Sequence, residues 1–103
     1  MQEKKIEHYL VQKIGRLNGL CFKFTSPSNA GVPDRLCILH GDAFFVELKA
    51  PGEKPRELQK AVARQIRKRG VKVYCLSSKE QVDDLVRALS AGMLPQESRY
   101  DRI

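Results

Sequence analysis

The chain has 103 residues, with 19 lysines and arginines against 12 aspartates and glutamates, which gives a formal net charge of +7. This length suits a single domain over residues 1–103. Hydrophobic residues make up 42% and charged residues 30%, proportions that exclude a disordered or a fibrous chain. No apolar run could span a bilayer, and no signal-peptide core is present. We therefore expect a cytoplasmic protein without membrane contact, whose charge favours nucleic acid as its partner.

The cysteines of the chain do not form a recognisable framework. Cys21, Cys37 and Cys75 are odd in number and widely spaced, and no CxxC pair occurs. Disulfide scaffolds and zinc fingers need even-numbered or closer sets. Because each cysteine lies in an apolar run, we expect reduced thiols in the interior.

The predicted elements alternate between helical and strand periodicity in the order α-β-β-β-α-β-α. A proline near the start of the second helix, and a Ser77–Glu80 capping box before the third, support those two helix beginnings. In chain order, we predict a helix over residues 3–18, a strand over 20–25, a loop over 26–33, strands over 35–40 and 43–50 around a Gly41-Asp42 turn, a helix over 55–69, a strand over 71–76, a third helix, and an irregular tail over 93–103.

This order predicts an α/β fold with a mixed four-stranded sheet flanked by helices. The first three strands can form an antiparallel meander. The second helix then returns the chain as a right-handed crossover, which makes the fourth strand parallel to the third. The two-residue turn of the hairpin would pair Leu39 with Phe44.

The third predicted strand, AFFVELKA, carries polar side chains where a buried strand would be apolar. Because side chains alternate between the faces, Phe44 and Val46 point one way while Glu47 and Lys49 point the other. Burying this carboxylate and ammonium without partners would be costly. A functional pair and the wet face of an edge strand are equally good interpretations of this pattern alone.

A second carboxylate, Asp34, opens the strand that precedes this one in the hairpin. The predicted pairing places it opposite residues 48 and 49, within reach of Glu47, although a Pro-Asp pair is by itself usually a turn. Two carboxylates about 4 Å apart repel by about 4 kcal/mol at an effective dielectric constant near 20. A divalent cation between them reverses the sign, and such a site with water in its other positions suits Mg²⁺ or Mn²⁺.

Two further polar residues lie on flanks that helical periodicity predicts to be buried. Glu7 falls between Val11 and Ile14 on the inner side of the first helix, where a boundary residue that reaches outward is the simpler explanation. Gln59 lies beside Leu58, Val62 and Ile66 on the predicted buried flank of the second helix, near the end of the Glu47–Lys49 strand. Helix capping explains Gln59 about as well as a functional role.

Glu7, the GVPDR run at 31–35, ELK at 47–49 and Gln59 together resemble the PD-(D/E)xK nucleases. Within that superfamily, the chain is similar to the small stand-alone form of the virus-type replication–repair nuclease family, abbreviated VRR-NUC. The similarity extends from the first helix to the fourth strand. It implies a restriction-endonuclease-like αβββαβ core with an added C-terminal helix.

The resemblance also implies roles for these residues in a Mg²⁺- or Mn²⁺-dependent endonuclease that hydrolyses DNA. Asp34, Glu47 and the backbone carbonyl of Leu48 would bind the metal, and Glu7 would complete the site directly or through water. Lys49 would orient the attacking water and stabilise charge on the phosphate. Gln59 would position the water, Lys49 or the scissile phosphate.

The substrate and assembly are likewise implied by the family. Homodimers acting on branched DNA, such as Holliday junctions, in phage or bacterial replication, recombination and repair are expected; the sequence does not identify a helicase partner. The competing class is a non-catalytic basic module that binds nucleic acid on the same fold. Candidate phosphate contacts, each of which could equally be a solvated charge, are Lys23, Arg35, Arg56, Lys60, Arg64 and Arg67. The last four are predicted to lie on the outer, basic face of the second helix.

Overall fold

The computed structural model describes residues 2–100 of the chain. Across that range, no helix combines the length and the apolar character needed to cross a membrane. The elements follow the predicted order, with strands one or two residues shorter than the sequence pattern predicts. They are α1 (Glu3–Arg16), β1 (Leu20–Lys23), β2 (Arg35–Leu39), β3 (Asp42–Leu48), α2 (Glu57–Lys68), β4 (Val73–Leu76), α3 (Lys79–Ser90) and a short 3₁₀ helix (Glu97–Arg99).

The four strands form one mixed sheet in the order β1-β2-β3-β4, which confirms the predicted topology. β2 is antiparallel to β1 and β3, and β4 runs parallel to β3. The core lies on the face covered by α1 and α3. Alternate β3 residues enter it as predicted, and its fully buried side chains include Ile6, Leu10, Ile14, Phe44, Val46, Leu48, Tyr74, Val82 and Leu85.

The predicted hairpin register is wrong by two residues. Leu39 pairs with Asp42 rather than with Phe44, so the turn is His40-Gly41 and not Gly41-Asp42. Both turn residues have positive φ values, 53° at His40 and 83° at Gly41. This is the pattern of a type I′ turn, whose twist matches that of the two strands. Because the shift is an even number, every side chain keeps its predicted face.

The third helix begins one residue later than predicted. Ser78 caps it by accepting a hydrogen bond from the Gln81 backbone N–H at 3.1 Å, whereas the backbone N–H of Ser77 donates to the Gln81 side chain at 2.7 Å. The predicted Ser77–Glu80 box is therefore replaced by a reciprocal arrangement around Gln81.

In the C-terminal segment, residues 93–96 have no regular secondary structure, but the segment packs against the core. Tyr100 is buried against the core, and its ring meets that of Tyr74 edge-on at a centroid distance of 5.6 Å. The Tyr74 hydroxyl donates to the Pro95 carbonyl at 2.6 Å. Glu97 forms ion pairs with Arg67 and Lys72. Residues 101–103 of the predicted tail lie outside the described residues.

The second helix lies over the opposite face of the sheet and leaves much of that face open. Sequence periodicity predicted a buried flank containing Leu58, but Leu58 is 51% exposed and Ala63 is the buried residue of α2. An open groove of about 790 Å³ runs between α2 and the sheet, lined largely by apolar side chains such as Phe24, Phe45 and Val62. The sheet is therefore packed on one face and only partly covered on the other.

Candidate active site

The end of β3 holds a carboxylate that is buried without a hydrogen bond. Glu47 is 4% exposed, and neither of its carboxylate oxygens has a hydrogen-bond partner within residues 2–100. The ammonium of Lys49 lies 3.4 Å from Glu47 Oε2, close enough for an ion pair but without hydrogen-bond geometry. Buried polar groups are nearly always hydrogen-bonded, so a carboxylate left in this state is a strong indication of a binding function.

Two hydrogen bonds with backbone N–H groups hold Asp34 in place beside Glu47. Its carbonyl accepts a hydrogen bond from the Phe24 N–H at 2.8 Å, and its Oδ2 accepts one from the Leu48 N–H at 2.9 Å. Since Arg35 pairs with Val46, the continued register brings Asp34 opposite Glu47 itself. The corrected register therefore places the two carboxylates closer together than the predicted one did.

The loop before Asp34 depends on a glycine. Gly31 has a φ of 85°, and a Cβ atom there would lie only 2.8 Å from the side chain of Leu58 and 3.1 Å from its carbonyl oxygen. Glycine is thus required by the backbone conformation and by the close approach of the loop to α2. This contact brings the loop beside the first turn of α2, and Pro33 lines one small cavity with Gln59.

The electrostatics of the site favour a bound cation. Burial, and then the charge of Asp34, raise the pKa of Glu47 from 4.5 to about 7, although Lys49 acts in the opposite direction. The charge of Asp34 thus destabilises the ionised form of the buried Glu47 carboxylate. The single ammonium of Lys49 compensates this repulsion only in part.

Two acidic residues of α1, Glu3 and Glu7, lie near this end of the sheet and interact with different residues. The carboxylate of Glu7 is held by the Arg35 guanidinium at 2.8 Å, and Arg35 also donates to the Cys21 carbonyl at 3.2 Å. Glu3 instead interacts electrostatically with Asp34 and Lys49, and its pKa is raised, mainly by burial and then by Asp34.

Sequence reasoning missed Glu3. The signal that could have identified it is its position four residues before Glu7, because residues at this spacing share a helix face.

Gln59 caps the second helix and also lines the small cavity that Glu47 lines. Its side-chain oxygen accepts a hydrogen bond from the Arg56 backbone N–H at 2.8 Å, which caps the start of α2. The same side chain lines a small cavity of about 10 Å³ together with Pro33 and Glu47. A cavity of this size can hold about one water molecule. Gln59 is therefore part of the wall around the Glu47 carboxylate.

The donor set fits a hydrated, oxygen-preferring cation. Among residues 2–100, no group of three or more His, Cys, Asp or Glu side chains could enclose a metal ion. The structure offers instead the two carboxylates of Asp34 and Glu47, with the Glu47 oxygens free of hydrogen bonds. Mg²⁺ commonly uses one or two carboxylates, keeps several waters and binds phosphate in the remaining positions. The two-carboxylate site suits this mode of binding and not a closed protein cage.

The predicted DNA contacts differ in availability. Lys23, Arg56 and Arg64 are exposed, and Lys60 makes an ion pair with Glu57 at 3.3 Å. Arg35 is engaged by Glu7, as described above. Arg67 turns away from the basic face of α2: it donates to the Val73 carbonyl and forms an ion pair with Glu97 at 3.1 Å. The predicted outward position of Arg67 is therefore not observed.

Comparison with known proteins adds two similarities. The chain resembles a solved structure described as a VRR_NUC domain, with a TM-score of 0.78 and 34% identity; the match covers 82% of this chain and 94% of that one. It is also 48% identical over 60 residues to a protein described as "Putative nuclease p44" from Acyrthosiphon pisum secondary endosymbiont phage 1. That match covers 57% of this chain and 64% of the phage protein. No family model matches the chain.

Proposed function

Because the chain belongs to the VRR-NUC family of nucleases, we propose that it is a metal-dependent endonuclease that hydrolyses DNA phosphodiester bonds. The observation that supports this most directly is the Glu47 carboxylate, buried without hydrogen bonds beside Asp34 and paired with Lys49. A domain that only binds DNA gains nothing from a buried acid that repels phosphate. A nuclease needs it to hold a cation.

In this proposal, Asp34, Glu47 and the Leu48 carbonyl hold Mg²⁺ or Mn²⁺. The Leu48 N–H keeps one oxygen of Asp34 in place, which leaves its other oxygen for the ion. When bound, the ion supplies Lewis acidity, which makes water a better nucleophile near neutral pH and offsets negative charge on the phosphate.

The remaining groups of the site orient water and phosphate. The Lys49 ammonium, already 3.4 Å from Glu47, is a compact donor that can contact both the attacking water and a phosphate oxygen. As the water oxygen forms its bond to phosphorus, the bond from phosphorus to the leaving oxygen breaks. Gln59 borders the one-water cavity next to Glu47 and helps to position that water. From α1, Glu3 or Glu7 completes the site.

We propose structured or branched DNA, including Holliday-junction-like DNA, as the substrate. The protein would act in replication, recombination or repair, in the cytoplasm of a bacterial or phage-infected cell. The similarity to a phage protein and the surplus of basic residues support this setting. A basic binding module without catalysis is the competing function, and the unsatisfied Glu47 carboxylate is the observation against it.

The test is an incubation of the purified protein with duplex, single-stranded, flap and four-way-junction DNA in Mg²⁺, Mn²⁺ or EDTA. We expect cleavage with either metal, none in EDTA, and the fastest cleavage on branched substrates. Salt-sensitive binding without cleavage in any metal would establish the binding module instead. Equal rates on all four substrates would contradict structure selectivity while leaving the nuclease in place.

We also propose a homodimer, supported by an exposed apolar surface on the outer strands. Leu20, Phe22 and Ile38 share the sheet face that α2 leaves open, and Phe22 is 52% exposed. Contiguous exposed apolar side chains of this kind mark interaction sites, and a stable interface buries about 800 Å² on each partner. A second copy related by a two-fold axis would cover this surface and present two sites to paired strands.

Light scattering measures this assembly. We expect twice the chain mass of 11.7 kDa for the wild type, and a single-chain mass for Phe22→Glu, which places a charge in the interface. A wild-type monomer, or a Phe22→Glu variant that remains dimeric, would contradict the proposed surface. The exposed hairpin residue Asp42, changed in Asp42→Asn, serves as a control that should keep the dimer mass.

A further inference from the structure

A second basic surface lies between α1 and the start of α3, away from the basic face of α2. This α1–α3 basic cleft has a volume of about 310 Å³. Within residues 2–100, none of its three lysines forms an ion pair with a carboxylate. Its lining residues are Lys4, Lys5, His8, Tyr9, Gln12 and Lys79.

Tyr9 organises the cleft by joining the two helices. Its hydroxyl donates a hydrogen bond to Oδ1 of Asp83 in α3 at 2.5 Å, which gives this carboxylate a partner from α1. The ammonium groups of Lys13 and Lys79 lie 5.2 Å and 5.1 Å from the centroid of its ring. The ring therefore contacts one cation from each of the two helices. Within residues 2–100 neither of these cations forms an ion pair with a carboxylate, so each can still bind an anion.

The cleft and the site share α1, and β4 runs parallel to β3, which puts the start of α3 at the same end of the sheet as Glu47. Glu3 and Glu7 project from α1 toward the end of the sheet, and Glu3 interacts with Asp34 and Lys49. Lys4 is three residues from Glu7, a spacing that makes the two residues neighbours on the helix surface, about 5–6 Å apart between Cβ atoms. A strand whose scissile phosphate lies at Asp34 and Glu47 would reach the cleft within a few nucleotides.

We propose that the α1–α3 basic cleft binds the sugar–phosphate backbone of the DNA strand beside the scissile phosphate. This inference rests on the proposed nuclease function and adds a binding site to it. On the outer face of α2, by comparison, Lys60 is already paired with Glu57. Its contacts are to backbone phosphates, so they add affinity without base preference.

The test removes two exposed lysines, one from each helix, in the double variant Lys5→Ala/Lys79→Ala. Affinity for a four-way junction is measured by fluorescence anisotropy in EDTA, which separates binding from cleavage. At ~0.1 M salt we expect a dissociation constant about tenfold higher than that of the wild type. The slope of log affinity against log salt should be smaller by about 2, since each lost phosphate contact removes about 0.9. At saturating DNA, the cleavage rate should change less than twofold.

The matched control is Arg16→Ala/Arg87→Ala, which removes the same charge from exposed positions outside the cleft. If the two double variants bind DNA with the same affinity and salt slope, the cleft is not a DNA contact. The outcome is separable from the function test. Cleft-dependent binding by a protein that cleaves nothing would refute the nuclease alone, whereas normal cleavage with cleft-independent binding would refute the cleft alone.

Discussion

Cleavage is expected to fall by at least about a thousandfold when Lys49 is replaced by alanine or Asp34 by asparagine, with the fold retained. Lys49→Ala removes the ammonium that lies beside Glu47, and with it the donor to water and phosphate. Asp34→Asn keeps an oxygen that can accept the Leu48 N–H but loses the charge needed to hold a cation. Single-turnover rates on a saturating branched substrate measure the loss, and circular dichroism checks the fold.

The control for this series is Asp42→Asn, which removes an exposed acid from the opposite end of β3 and should keep the wild-type rate. Metal-dependent cutting near the wild-type rate in Lys49→Ala or Asp34→Asn would exclude the assigned site.

The same cleavage assay compares the two acidic residues of α1. Since Arg35 already holds Glu7, whereas Glu3 interacts with Asp34 and Lys49, Glu3→Gln should slow cleavage more than Glu7→Gln does. The reverse order would identify Glu7 as the acid that completes the site.

The sequence predicted the sheet and its polar face because those features depend on local periodicity. Alternation in β3 separates Phe44 and Val46 from Glu47 whatever the exact pairing. The hairpin register depends instead on which two residues adopt positive φ. A Gly-Asp pair satisfies that pattern as a sequence, but His40 adopts it in the structure. Because the predicted register was wrong by an even number of residues, correcting it changes the residue opposite Asp34 without turning a strand side chain to the other face.

Other features could not be predicted because they depend on contacts between distant segments. Helical periodicity places Glu3 and Glu7 on one face of α1, but the rotation of α1 against the sheet decides which acid meets Arg35. Tyr100 belongs to no periodic pattern, and its burial depends on the position of Tyr74. The apolar flank of α2 has the pattern of a buried helix, yet Leu58 stays exposed beside an open groove. Periodicity reports an apolar surface but not what covers it.

Replacing Glu47 by glutamine is expected to stabilise the metal-free protein while it abolishes cleavage. The carboxylate is buried without hydrogen bonds and is repelled by Asp34, so its charged form costs free energy that the neutral amide avoids. The folded-state pKa of about 7 lies above the usual 4.5, so this cost appears as the pH rises from about 4.5 through 7. At pH 8 the gain in unfolding free energy should be about 1–3 kcal/mol, and it should shrink at pH 5.

Thermal unfolding with and without metal measures both parts of this expectation. In EDTA at pH 8, Glu47→Gln should melt several degrees above the wild type. Added Mg²⁺ or Mn²⁺ should raise the melting temperature of the wild type but not of the variant, since only the folded wild type binds the ion. The control Glu57→Gln changes a glutamate whose side chain is 87% exposed and should match the wild type in both conditions. A Glu47→Gln variant that is less stable than the wild type and still responds to metal would show that this carboxylate supports the fold and does not hold the ion.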